Sequence, residues 1–227
     1  MENYDIYIEK LDDEIIELLS IRKKYLLNSK NFKVYELGGY NMYDSLSSNL
    51  DNKIYNIELK KDVNEKKTYE KYFNEDLYKS KDNLYKNNEL ENLNLNNIIK
   101  CIYINFLYDV CKYGNDEYKD EACKLDIEIL YKISERIHFG YEIIKFKYID
   151  NKDFYDNLFE TKDTSLIQYY LTNSIKQPCY LDKIKEKCIN YNINDILICT
   201  FYKHFILPLN VEIQLNFCKS LKQLKKS

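Results

Sequence analysis

With 227 residues the chain is long enough to bury a sizeable core, and with only four Gly and two Pro it has few residues that interrupt helices. A net charge of −3, without a clustered basic face, argues against a general nucleic-acid binder. Seven Cys at irregular spacing with no CxxC pair read as reduced thiols, and two His are too few for a dedicated zinc site.

In chain order, residues 5–30 carry apolar positions at helical spacing and predict a first helix, with Gly38-Gly39 breaking the pattern soon after. Residues 45–61 predict a second helical stretch. Residues 79–97 are polar and Asn-rich, the pattern of a surface loop or a partly ordered insertion. Residues 98–112 return to helical spacing, and 113–120, holding Gly114, read as a linker. Residues 125–149 predict one long central helix, in which Gly140 is expected to be a packing contact. Residues 154–159 and 164–171 predict shorter helices.

Ser174 and Gln177 have the S-x-x-Q spacing of a capping box, and Pro178 lies in the first turn, where a missing N–H is tolerated. That helix runs on through 179–190. Residues 195–207, a kink at Pro208, and 211–224 complete an all-α pattern. No apolar run approaches 18 residues, which is the basis for expecting no membrane span. The N-terminus shows no basic n-region or apolar h-region, so a cytoplasmic location is expected. The basic stretch 219–226 reads as a solvated helix end.

The chain has two arginines, and each has a lysine eleven residues on: Arg22 with Lys33, and Arg136 with Lys147. Eleven steps of about 100° return to within roughly 20°, so on a continuous helix both cations of a pair point into one space about 16 Å apart along the axis. That suits a small, multiply charged anion; a solvated basic stripe is the plainer alternative. The segments 11–22 and 125–136 align without a gap, matching Leu11 with Leu125, Asp12 with Asp126, Ser20 with Ser134 and Arg22 with Arg136. A period of 114 residues is too long for a solenoid unit and points to two pseudo-repeated helical halves, 1–100 and 101–227, packed as one domain.

The run Ser134-Glu-Arg-Ile-His-Phe-Gly140, then Lys147, then Leu171-Thr-Asn-Ser174, resembles the eukaryotic, fungal and plant chorismate mutases. The likeness continues through Tyr155-Asp-Asn-Leu158, Lys162-Asp163 and the stretch 183–191, and closes with Tyr202 and the stretch 206–214. It is nearly continuous from about residue 125 to about 218. It implies an all-helical, homodimeric enzyme that rearranges chorismate to prephenate for phenylalanine and tyrosine synthesis, without metal or cofactor. The N-terminal half would be a degenerate regulatory-type half.

The resemblance assigns roles residue by residue. Arg136 would hold a substrate carboxylate, and Lys147 would reach the ether oxygen and a nearby carboxylate. Asn173 would meet substrate polar groups; taken alone, it also reads as part of a capping turn. Gln177 stands where the family has a glutamate on the substrate hydroxyl, Asn210 where a threonine often braces a carboxylate. Gln214 falls on the residue that donates to the ether oxygen, a position where fungal relatives have glutamate. His138 reads as a packed helix residue. Asp5 stands at the family's N-terminal arginine, with Lys10 as one compensating cation, and Glu58/Leu59 and Asp120-Glu121 replace the regulatory amino-acid contacts. Asp5 and Gln177 are the features that favour the alternative of an inactive helical homologue acting as a partner or regulatory subunit. Lyase action on isochorismate would use a similar cationic pocket.

Overall fold

The computed structural model describes residues 2–28, 95–172 and 177–224. These form a helical bundle with no strand among the described residues. The expectations for residues 45–61, for 79–94 and for Gly38-Gly39 lie outside them, as do Lys33, Glu58 and Leu59.

The bundle is organised around α1 (Glu2–Arg22) and α3 (Lys119–His138). They run antiparallel, with Tyr7 beside Glu135, Glu14 bound to Lys132 at 2.6 Å and Arg22 bound to Asp126 at 2.7 Å. Ile15, Ile16 and Leu19 of α1 meet Ile129, Ile133 and Ile137 of α3 in the main core. Between them in sequence lies α2 (Asn96–Val110), which adds Tyr103, Phe106 and Leu107 to that core. The pair therefore joins the two pseudo-repeated segments in one core.

The first helix ends at Arg22, earlier than its pattern predicts, and the chain turns through Asn28. Asn28 has φ 54°, a left-handed conformation that asparagine tolerates better than most residues. Its backbone N–H donates to the Gly114 carbonyl at 2.8 Å, and its side chain exchanges hydrogen bonds with Asp116. Gly114 sits at φ 142°, and a Cβ there would lie 3.0 Å from Leu26 Cδ1. The linker after α2 is thus clamped to the end of α1.

The predicted central helix is divided. α3 stops at His138, Phe139 forms a turn at φ −58°, ψ −17°, and α4 (Gly140–Asp150) continues. The Phe139 and Ile143 N–H groups still bond to residues four back, so the axis is perturbed rather than reversed. α5 (Lys152–Glu160) and α6 (Thr164–Thr172) follow, packing Tyr155, Leu158, Phe159, Ile167 and Leu171 into a second core with Ile144. α7 (Gln177–Asn190) lies against α1, with Pro178 in its first turn as expected.

The last part runs as α8 (Asp195–Phe201), one wide π turn (Tyr202–Ile206) and α9 (Leu207–Leu224). The Leu207 N–H reaches the Tyr202 carbonyl, five residues back. Proline in a helix removes a hydrogen bond and presses on the carbonyl four residues earlier, and the widened turn lies just ahead of Pro208. Together Asp195–Lys219 is 25 residues long and, by length and composition alone, apolar enough to cross a bilayer. Lys203, Glu212 and other polar residues interrupt its apolar run, so the span-length character emerges only over the whole helix. Its apolarity has a role inside the bundle: Ile198, Phe201, Tyr202, Ile206 and Ile213 are buried in the main core, and Leu215 and Phe217 in the second.

Candidate active site

Arg136 lies two residues before the end of α3 and is only 3% exposed. A buried guanidinium needs partners. Nε donates to Asp12 Oδ1 of α1 at 3.0 Å, and Nη2 donates to the Tyr180 hydroxyl of α7 at 2.8 Å. Tyr180 in turn donates to Asp12 Oδ2, closing a three-membered ring of polar contacts. The guanidinium also lies 5.6 Å from the centroid of the Tyr180 ring. Nη1 is buried and meets no hydrogen-bond partner among the described residues.

The electrostatics follow from this packing. Burial works against the Arg136 charge, but Tyr180 and Asp12 outweigh it and hold its pKa above the ordinary arginine value. Burial also pushes the Asp12 carboxyl up, while Arg136 and the tyrosine hydroxyls pull it back. Tyr180 is raised well above the usual phenol value by burial and by Asp12, so its hydroxyl keeps its proton and donates.

Arg22 is the counterpart of Arg136 in the repeat and is fully committed to the protein. Nε bonds to Asp126 Oδ1 at 2.7 Å, Nη1 to the Leu26 carbonyl at 3.0 Å, and Nη2 to the Leu27 carbonyl at 3.1 Å. Tyr103 donates to the same Asp126 oxygen at 2.6 Å. Arg22 therefore ties a helix end to its loop.

Lys147, in α4, donates to Gln214 Oε1 of α9 at 3.4 Å. Gln214 Nε2 donates to Asn210 Oδ1 at 2.9 Å, one helical turn back. Asn210 Nδ2 then donates to the Arg136 and Ile137 carbonyls at 3.3 and 3.0 Å. A single polar chain thus runs from Lys147 through α9 to the end of α3. It requires close approach at Gly140, where a Cβ would stand 2.4 Å from the Asn210 carbonyl oxygen and 2.9 Å from its Nδ2. Gly140 is the packing contact its sequence context suggested.

The structure so brings Lys147, Gln214 and Asn210 together and joins them to the backbone of Arg136, whose guanidinium meets Asp12 and Tyr180. Gln177 is half-buried at the start of α7, one turn before Tyr180. Asn173 and Ser174 lie outside the described residues. Lys10 is mostly exposed and pairs with Glu14 at 3.7 Å; Lys183, bound to Glu9 at 2.6 Å, is a cation that interacts with Asp5. His138 takes the packed role expected of it: Nδ1 meets the Ser134 carbonyl at 2.8 Å, and Nε2 accepts from the Leu95 N–H at 3.3 Å. Asp12 and Tyr180 were not singled out from sequence as site residues. Asp12 had a visible signal, since it and Asp126 each precede an arginine by ten residues. Tyr180 had none.

Among solved structures, Aro7p chorismate mutase from Candida albicans, in complex with L-Trp, superposes with a TM-score of 0.72 at 20% identity, covering 100% of this chain and 92% of that one. The chloroplast chorismate mutase of Zea mays gives 0.69 at 20% identity, covering 98% and 94%. The chain has the fold of the eukaryotic chorismate mutases. In sequence, the chorismate mutase of Trichoderma parareesei is 28% identical over 145 residues, 54% of this chain and 54% of the relative. That of Pichia angusta is 27% identical over 144 residues, 56% and 51% respectively. The chain spans about half the length of the curated chorismate mutases it matches in sequence. No protein-family model matches it. In the chorismate mutase fold adopted here, the aligned helices place Arg136 inside the bundle rather than on a solvated stripe.

Proposed function

We propose that the chain is a chorismate mutase that converts chorismate to prephenate in phenylalanine and tyrosine synthesis. The observation that carries this reading is Arg136: a buried, charged guanidinium whose Nη1 has no protein partner among the described residues, on the residue whose backbone carbonyl anchors the Lys147–Gln214–Asn210 chain. The relatives named chorismate mutase and the shared fold support it.

The rearrangement is intramolecular, so the demands on the protein are grip and electrostatics. Chorismate carries two carboxylates, and a guanidinium offers a planar fork for one of them. Holding the flexible substrate folded removes much of the entropic barrier. Lys147 and the second amide hydrogen of Gln214 then oppose the negative charge that grows on the breaking ether oxygen. Asn210 spends both amide hydrogens on backbone carbonyls and orients Gln214. Asn173 and Gln177 complete the substrate's polar contacts in this reading, no metal or cofactor takes part, and the protein works as a cytoplasmic homodimer.

Control by aromatic amino acids is weak or absent in this proposal. AtCM1 has been solved with phenylalanine and with tyrosine in an allosteric site. Here the first turn of α3 carries Asp120 and Glu121, which repel an amino-acid carboxylate. Incubating the full chain with chorismate and resolving the products by chromatography tests the activity. Prephenate appearing as chorismate disappears supports it; unaltered chorismate, or a cleaved product, defeats it.

A further inference from the structure

We infer that Tyr180 is a positioning residue that, together with Asp12, occupies one edge of the Arg136 guanidinium and dedicates the opposite end to the substrate carboxylate. The inference deepens the proposed function and rests on it.

A guanidinium has five N–H donors in a rigid plane. Asp12 takes the Nε hydrogen and Tyr180 takes one hydrogen of Nη2. Both lie along the Nε–Nη2 edge, and the Tyr180 hydroxyl bonded to Asp12 fixes their spacing. Two hydrogens on Nη1 and one on Nη2 remain, which is the fork that meets a carboxylate end-on with two parallel bonds. Side-on capture would have to displace Asp12 and leave a buried carboxylate without its cation.

Tyr180 decides the rotation of that plane. With Asp12 alone the guanidinium would be held through a single Nε contact, free to swing about it. The hydroxyl supplies the second point, and the ring packed beside the cation removes the remaining freedom. The same hydroxyl occupies Asp12 Oδ2 while Arg136 Nε occupies Oδ1, so both carboxylate oxygens are paired. Three elements meet here, α1, α3 and α7, so the fork is aimed by tertiary packing. Tyr180 itself touches the arginine and need not touch the substrate.

The test uses the full chain with Tyr180→Phe, which keeps the ring and removes the hydroxyl. Steady-state chorismate kinetics and thermal unfolding are measured for parent and variant. The expected result is a kcat about tenfold or more lower, with KM within about threefold and the unfolding midpoint little changed, because the charge stays but its aim is lost. In an Arg136→Lys background, which has no fork to aim, removing the hydroxyl lowers kcat by less than about twofold further. A Tyr180→Phe variant within about twofold of the parent in kcat/KM overturns the inference. So does a loss that only tracks the folded fraction, or an undiminished loss in the Arg136→Lys background. An inactive parent chain defeats the proposed function and this inference with it; an active parent indifferent to Tyr180→Phe defeats the inference alone.

Discussion

Arg136 reaches Asp12 across the α1–α3 pair at 3.0 Å, and the same reach is repeated in reverse by Arg22 onto Asp126 at 2.7 Å. Each helix supplies an aspartate and, ten residues later, an arginine. The antiparallel packing crosses them into two reciprocal ion pairs. The two arginines then diverge: Arg22 spends its remaining donors on the Leu26 and Leu27 carbonyls, whereas Arg136 keeps Nη1 unpartnered among the described residues. One end of the repeat is a joint; the other has the makings of a site.

The joint is a stability element. Replacing Arg22 by Ala leaves the Asp126 carboxylate buried without its cation, an error that costs about 3–5 kcal/mol. Urea unfolding of Arg22→Ala should show that loss, and the paired change Arg22→Met with Asp126→Leu should recover much of it. Equal stability of Arg22→Ala and the parent would show that the buried pair does not matter.

Gly140 sets how closely α9 approaches the end of α3. A methyl group there meets the Asn210 backbone oxygen at 2.4 Å, and backbone cannot swing aside as a side-chain tip does. Gly140→Ala should cost about 1–3 kcal/mol through overpacking and should separate Asn210 from the Arg136 carbonyl. Turnover should fall more than the folded fraction does. A variant as stable and as active as the parent would contradict the close crossing.

In the proposed reaction Gln214 sets the pH profile. Its amide donates at any pH, whereas a carboxyl donates only when protonated. The parent chain should therefore hold kcat steady between pH 6 and 8. Gln214→Glu should lose turnover as pH rises through the glutamate's pKa, because deprotonation removes the donor and adds a negative charge. A parent profile that falls steeply over that range, with binding intact, counts against Gln214 as the donor.

The cysteines separate by burial. The Cys111 thiol is pushed up to about 11 and the Cys188 thiol to about 12, chiefly by burial, so neither forms much thiolate near neutrality. Cys101 and Cys179 are exposed. A thiol reagent should label Cys101 and Cys179 in the native protein and reach Cys111 and Cys188 only on unfolding. Rapid native labelling of Cys188 would contradict the packing of α7 against α8.

Much of this was legible in the residues. The scarcity of Gly and Pro and the 3.6-residue periodicity foretold helices, and the gap-free register of the arginine segments foretold a repeated helix pair. The register of Asp12 and Asp126 was equally visible; their role as reciprocal partners depends on the helices packing antiparallel, which spacing alone does not state. Phe139 divides the central helix although nothing local forbids continuation, because α9 crosses at Gly140. Pro208 announced a kink but not its form, since a π turn depends on what the preceding carbonyls can reach. Tyr180 was illegible, because its partners come from two other helices, 168 and 44 residues away in sequence.

If the Arg136 fork grips the substrate in the proposed reaction, Arg136→Lys removes that grip most directly. Lysine keeps a cation beside Asp12, so the fold should persist by circular dichroism, but a point charge cannot make two parallel bonds to a carboxylate. The parent chain should show chorismate mutase activity, and the variant a kcat/KM lower by about a hundredfold or more. A folded Arg136→Lys protein within about threefold of the parent would contradict it.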